Sequence, residues 1–368
     1  MVRILLILFT TFVFAQNSDS ENHRKIIFPD IPGYKTLKCD LHQHTVFSDG
    51  KVWPTIRVDE ALKDNLDAIA VTEHLEYQPH KNDIPHPDRN RAYEIEKKAA
   101  SEEDLIIISG AEITRNMPPG HSNAIFIDDA NKLLIEDSLQ VFYEAKKQDA
   151  FIFWNHPDWT RQKKDAVAEL TDMHKMLIQK GMLNGIEVVN GWGFSDEALQ
   201  IALDNNLTIM GTSDIHGLID WEYEVHKGGH RPVTLVFTKE KSVTGIKDGL
   251  NNRRTVVFSK NYLIGRDEFL VPLINASIVT KEIKYRNDSF VLEVILKNLS
   301  STEFTLKNTS KYKFHNASDL IKIESNAQTK LMIKTLEELN EVLLTFQVLN
   351  AINAPNSHPE ISLSIKVD

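Results

Sequence analysis

The sequence is short of cysteine, of basic clusters and of long apolar runs, and each shortage narrows its possible roles. Cys39 is the only cysteine in 368 residues, so no intramolecular disulfide can form. Cys39 reads instead as a small apolar strand residue. Lys and Arg total 42 against 52 Asp and Glu, a net charge of -10. No basic block offsets that charge, which argues against nucleic acid as an obligatory partner. No run is long enough to span a bilayer. Ile4 to Ala15, preceded by Arg3, suits the apolar region of a signal peptide, with Val13-Phe14-Ala15 as a cleavage site before Gln16. The expectation is a signal peptide over 1–15, export to the periplasm or outside, and no stable membrane insertion after cleavage. No internal repeat is present.

What remains is an ordinary globular composition, 42% hydrophobic and 26% charged, in a chain long enough for two domains. Strands are expected at Leu37–Leu41, Asp67–Thr72, Leu105–Ile113, Ser122–Ile127, Phe151–Trp154, Gly185–Val189 and Thr208–Thr212. Helices are expected between them, at Pro54–Asn65, Arg89–Ala100, Ser138–Lys147, Asp165–Gln179 and Ser195–Asn205. Such alternation predicts an α/β fold with a parallel sheet, open or closed into a barrel. Near residue 268 the pattern changes. Ile274–Val279, Phe290–Leu296, Phe304–Lys307, Lys330–Lys334, Glu341–Val348 and Ile361–Val367 read as short antiparallel strands of a sandwich. The expected division is 16–267 for the α/β domain and 268–368 for an all-β sandwich-like domain.

The titratable residues fall where that α/β reading places strand ends. Asp40-Leu41-His42-Gln43-His44 closes the first strand, and histidines two apart share a face and can reach one ion. Asp49 follows on the loop. His74 ends the second strand, Glu112 the third, His121 precedes the next, and His156, Asp214 and His216 end later ones. In parallel α/β architectures this rim is where active sites are built. Six histidines and three carboxylates exceed the three or four ligands of one zinc site, so two or three ions sharing a carboxylate are expected, with Glu112 as the bridging candidate.

Other candidates carry less. Arg115 can hold an anionic oxygen with its planar fork, or make a surface ion pair. Tyr77, Trp159 and Trp192 can wall an apolar pocket, although core packing is the simpler use of each. Arg161, Lys163 and Lys164 read as a solvated basic face. His80 and His86 are weaker acid candidates, and His226 and His230 can line the site. His315 and His358, in the tail, lack metal-ligand spacing.

The set His42-Gln43-His44-Thr45 with Ser48-Asp49-Gly50, Thr72-Glu73-His74, Gly110-Ala111-Glu112, His121, Asn155-His156-Pro157 and Asp214-Ile215-His216 resembles the PHP (polymerase and histidinol phosphatase) metallohydrolase superfamily. The resemblance runs from about Leu37 to His216, and more loosely to about 265. It implies a distorted (β/α)7 barrel and a trinuclear metal centre. His42, His44, Glu112 and Asp214 would hold the first ion, Glu112, His121 and His156 the second, and Asp49, His74 and His216 the third. Glu73 stands where the family more often has Asp, which touches the surroundings of the centre rather than its ligands. The leader, the tail, Glu112-Ile113-Thr114-Arg115 and His230-Arg231-Pro232-Val233 look most like exported phosphodiesterases acting on small organophosphate diesters.

The expected activity is therefore metal-dependent hydrolysis of phosphodiesters by a metal-bridging hydroxide, with Zn, Mn or Fe suited to the donors. Asp214 would take the proton, and Glu112 and Arg115 complete the catalytic set. The expected partner is a small-molecule phosphate ester; the sequence does not indicate an oligomeric state. Phosphomonoester hydrolysis, carbamate or amide hydrolysis, and a binding role for the sandwich with a merely structural metal are the alternatives.

Overall fold

A computed structural model describes residues 24–367, so the expected signal peptide lies outside the described residues. In chain order the α/β part contains β1 (Lys35–Asp40), α1 (Pro54–Lys63), β2 (Ala68–Ala70), α2 (Arg91–Ala99), β3 (Ile106–Ile108), β4 (Gly110–Ile113) and β5 (Ser122–Ile125). It continues with α3 (Gln140–Lys147), β6 (Phe151–Trp154), α4 (Asp172–Gln179), β7 (Gly185–Asn190), β8 (Gly193–Phe194), α5 (Asp196–Asp204) and β9 (Thr208–Thr212). Then come α6 (Ile219–Glu222), β10 (Val233–Thr238), α7 (Val243–Asn251), β11 (Thr255–Ser259), β12 (Tyr262–Gly265) and α8 (Asp267–Ser277).

The strands form two sheets rather than one closed barrel. One has the order β12-β11-β10-β1-β2-β3, and the other runs β4-β5-β6-β7, with β8 and β9 both paired to β7. The pairing is mixed, not uniformly parallel. β1-β2-β3 and β6-β7-β9 are parallel, whereas β10, β11, β12 and the β4-β5-β6 pairs are antiparallel. The apolar run expected as one strand over Leu105–Ile113 divides at Ser109, whose carbonyl accepts from Phe126 N at 2.7 Å. Ser109 thereby hands the chain from one sheet to the other. At the opposite seam, β9 meets β10 and β11 through side chains: Gly211 N donates to Thr234 Oγ1 at 3.0 Å and Thr255 Oγ1 to Ile209 O at 2.8 Å. Gly211 is required there, since a Cβ would come within 2.2 Å of Val257 Cγ1.

Between the sheets lies a core of Leu37, Cys39, Leu41, Ala70, Ile108, Phe153, Met210 and Val236. Helices cover the outside. Pro54 opens α1 where its missing N–H costs nothing. Ser195 Oγ accepts from Ala198 N and caps α5. The helix expected from Asp165 starts only at Asp172, because Thr171 forms a capping box with His174.

The tail is a two-sheet sandwich of β13 (Ile278–Tyr285), β14 (Val291–Asn298), β15 (Phe304–Asn308), β16 (Lys313–Phe314), β17 (Leu320–Ile323), β18 (Gln328–Lys334), β19 (Glu341–Val348) and β21 (Glu360–Lys366), with the short β20 (Ala351–Ile352). Its sheets are β13-β14-β18-β16 and β17-β15-β19-β21. Alternate residues Leu292, Val294 and Leu296 of β14 and Leu344, Phe346 and Val348 of β19 are buried, as expected for strands with one inward face. The strand expected at Ile274–Val279 is instead the end of α8 followed by β13, since the apolar Leu270, Leu273 and Ile274 recur at helical spacing.

The two parts share more than a linker. β20 pairs in parallel with β12, Leu263 opposite Ala351 and Ile264 opposite Ile352. One apolar cluster joins Phe258, Leu263 and Phe269 to Leu292, Phe346 and Ile361. Leu263→Ala, at a fully buried position, should destabilise the protein by about 2–5 kcal/mol. Calorimetry should show one cooperative transition moving to lower temperature. Two separate transitions, with only the first displaced, would show that the parts unfold independently.

Candidate metal centre

Two strand ends build the heart of the site. The chain beyond β1 runs beside the chain beyond β9: Asp214 N donates to His42 O at 2.9 Å, and His44 N to Ile215 O at 3.0 Å. The buried Arg57 clamps both, donating to His44 O (2.9–3.0 Å) and to Ile215 O (3.2 Å). Asp40 accepts from Ser213 N and Oγ and pairs with the buried Arg231. A second pair of segments runs in parallel, with Glu112 N donating to Glu73 O and Leu75 N to Glu112 O, both at 3.0 Å. Gly50 is needed below them, because a Cβ would lie 2.6 Å from His44 C and Thr45 N.

All nine residues expected as ligands come together. His42 Nε2, His44 Nε2 and Asp214 Oδ1 lie 3.1–3.2 Å from one another. A tetrahedral ion with bonds of about 2.0–2.1 Å spaces its ligand atoms by about 3.3–3.4 Å, so this triangle fits one. Asp49 Oδ1 faces His216 Nε2 at 3.0 Å, His74 Nε2 at 3.4 Å and His44 Nδ1 at 3.9 Å. Glu112 stands in the middle. Its Oε1 is 3.0 Å from His121 Nδ1, 3.6 Å from His156 Nε2 and 3.7 Å from His42 Nε2, while its Oε2 meets His74 Nδ1 and lies 3.6 Å from His44 Nε2. Ligand atoms thus converge in three groups: His44-Asp49-His74-His216, His42-His44-Asp214 and His74-Glu112-His121. His44 and His74 each belong to two of these groups, and His156 stands outside them.

Cations fit this set on a second count. Asp49 Oδ1, Glu112 Oε2 and His156 Nδ1 are buried without a hydrogen bond of acceptable geometry, and buried polar atoms left this way are costly. Burial, followed by the neighbouring His74 and His216, pushes His44 down to about 3. His74 behaves oppositely: burial opposes its charge, but Glu112 and Asp49 prevail and raise it to about 10. Burial also opposes the Glu112 charge, yet His74, His121, His156 and His42 hold this carboxyl well below its usual range. A divalent ion entering at neutral pH would displace the His74 proton.

Several residues position the ligands, and two of them, Glu187 and Asn190, are not among those expected from the sequence. Glu187, on β7, accepts from Thr212 Oγ1 (2.6 Å), His156 N (2.8 Å) and Asn190 Nδ2 (2.9 Å), and faces His42 Nδ1 at 2.8 Å. The available signal is one acid within Gly185-Ile186-Glu187-Val188-Val189. Asn190 also donates to Asp214 Oδ2 at 3.2 Å, a use that Asn190-Gly191 does not advertise. Asn155 donates to Glu112 Oε1 at 2.8 Å. Glu73 accepts from Thr45 N at 3.1 Å and from the Thr45 and Ser48 hydroxyls, so it braces the His44 loop.

Above the cluster is a cavity of about 560 Å³ lined by Tyr77, Thr114, Trp159, Arg161 and Asn190 as well as ligand residues. Arg161, expected on a solvated face, belongs to this lining. Arg115 does not: Glu76 holds its guanidinium, which also donates to Ile135 O. Trp192 packs on Tyr223 away from the cavity, and His230 stacks on Phe258 at 4.1 Å. His86 is buried between Phe47 O and Gln78, and His315 is exposed on the sandwich.

Imidazoles and carboxylates converging at the strand ends beneath an open cavity define a hydrolytic metal centre. A solved two-domain protein from Bacteroides vulgatus, described as containing a predicted PHP-like metal-dependent phosphoesterase, is 41% identical to this chain. The match covers 93% of this chain and 98% of that one, with a TM-score of 0.86. The chain therefore belongs to the PHP-like metal-dependent phosphoesterases. An Ig-like domain family matches residues 278–364. An uncharacterised protein of Methanocaldococcus jannaschii is 34% identical over 83 residues, a stretch spanning only 36% of that protein. A putative metal-dependent phosphoesterase from Bifidobacterium adolescentis is 18% identical over 49% of this chain and 88% of its own, with a TM-score of 0.37.

Glu187→Gln keeps the size of the side chain but weakens its hold on His42 and the His156 backbone. Metal affinity should fall about 10–100-fold, the usual effect of losing a partner behind a ligand. Competition with a chromogenic chelator measures it, and an unchanged affinity would remove Glu187 from the positioning set.

Proposed function

We propose that the protein is a metal-dependent phosphodiesterase acting on small organophosphate diesters. The observation that carries this reading is the placement of the donor cluster at the base of a 560 Å³ cavity with Tyr77 and Trp159 in its walls. A diester carries two organic groups, and the aromatic walls offer each an apolar surface. The relative from Bacteroides vulgatus, described as containing a predicted PHP-like metal-dependent phosphoesterase, supports the broader class of phosphoesterase. A set of imidazoles and carboxylates suits Zn, Mn or Fe.

The nine residues would hold divalent ions, and such ions would supply Lewis acidity toward water and the phosphoryl oxygens. The chain does the rest. Glu112 keeps its negative charge because imidazoles surround it. Asn190 orients Asp214 by donating to Oδ2, so Oδ1 faces His42 and His44 as the ligand atom and Oδ2, with a lone pair to spare, is the oxygen that would take the proton. His121 and His156 are braced by Trp159, with ring centroids 5.4 and 5.0 Å away.

Glu112→Gln retains the shape and removes the charge at the centre of the cluster. Diester turnover should fall by orders of magnitude and metal content should drop, while His315→Gln, on the distant sandwich, should change neither. Full metal content with near-normal turnover in Glu112→Gln would overturn the reading. Faster turnover of an aryl phosphate monoester, or of a carbamate or amide, would assign the centre to that chemistry instead.

We further propose export, supported by the apolar run Ile4–Ala15 and the Val13-Phe14-Ala15 site. N-terminal mass analysis of exported protein should find Gln16 first. Recovery only inside the cell, with Met1 retained, contradicts it.

A further inference from the structure

The cavity wall contains two arginines in opposite circumstances. Arg161 lines the cavity with its guanidinium over the Trp159 ring, 5.5 Å from the centroid. Among the described residues, no carboxylate pairs with it and no hydrogen bond engages it, whereas the nearby Lys163 is held by Glu169 at 2.9 Å. Arg115 follows Thr114, another lining residue, yet its charge is taken. Glu76 pairs with one of its terminal nitrogens, the other donates to Ile135 O, and its Nε is buried without a partner. Glu76 is itself fixed, its Oε2 accepting from Thr114 N at 2.8 Å.

We propose that this pairing sets substrate charge: Glu76 withholds Arg115 from the cavity, leaving Arg161 as the one guanidinium among the described lining residues and selecting phosphodiester monoanions over phosphomonoester dianions. The proposal rests on the phosphodiesterase reading of the site. A diester carries one negative charge, which one guanidinium can match. A monoester carries about −1.5 to −2 near neutral pH, so beyond the charge that the ions would take from either substrate it calls for a second cation in the wall. Arg161 Cζ lies over the Trp159 ring, and a cation–π contact occupies no N–H group, so those donors stay available to an oxyanion. Glu76 and Arg161 are thus specificity-determining residues, not ligands.

Calorimetric binding of diphenyl phosphate and phenyl phosphate to the metal-loaded protein tests this, because phenol leaves slowly and binding is read apart from turnover. The parent protein should prefer diphenyl phosphate. Arg161→Gln should weaken diphenyl phosphate about tenfold, the loss of one charge-assisted contact. Glu76→Gln frees Arg115 and should shift the affinity ratio toward phenyl phosphate about five- to tenfold, the effect of one further charge-assisted contact. Glu76→Gln combined with Arg115→Gln should return that ratio to the parent value, which a merely structural role for Glu76 would not do. An unchanged ratio in Glu76→Gln at an unchanged melting temperature, or unchanged diphenyl phosphate affinity in Arg161→Gln, overturns the proposal. Binding as described with no diester turned over would instead leave charge selection standing and overturn the phosphodiesterase reading.

Discussion

Charge balance around Glu112 is the constraint on which the rest of the site depends. A carboxylate withdrawn from water is strongly unfavourable unless opposite charge surrounds it. Here four histidines from four separate segments, His42, His74, His121 and His156, face its two oxygens and hold its charge. Removing any one of those segments would take away part of that compensation. The same property that makes the cluster attractive to cations therefore ties distant parts of the chain to one point.

Holding those segments in register falls to residues that touch no ligand atom. Arg57 and Arg231 are fully buried cations, and each cross-links strands that carry the site. Arg231 pairs with both Asp40 and Asp64, at 3.1 and 2.8 Å. Breaking such a pair from one side is far more damaging than replacing it whole, because a single charge is left behind. The seams between the two sheets lack a continuous backbone ladder, so these polar clamps do there what hydrogen-bonded strands do elsewhere.

The donor set was legible because His42, His44, His74 and Glu112 sit at ends of short apolar runs, a pattern that survives without coordinates. Asp214 and His216 follow the same rule. The antiparallel pairings were not legible, since β4, β5 and β6 are buried on both faces and burial patterns alone do not set direction. Nor did periodicity show that Ser109 divides one apolar run between two sheets. Arg115 and Arg161 illustrate the limit at the cavity: both are arginines near ligand residues, and what distinguishes them is their contacts, Glu76 and Ile135 O for one and the Trp159 ring for the other. The sandwich strands were readable from alternation, as in β14 and β19. Its attachment through β20 was not, because two residues carry no period.

That attachment has a consequence for the order of events during synthesis. β12 presents an open edge, with Leu263 beside it, until Ala351 emerges nearly a whole sandwich later. An exposed strand edge next to apolar side chains invites pairing with another chain. The nascent protein is therefore most vulnerable to misassociation in the interval between translation of residues 265 and 351. A holding chaperone acting in that window should raise yield more than one acting on the finished chain.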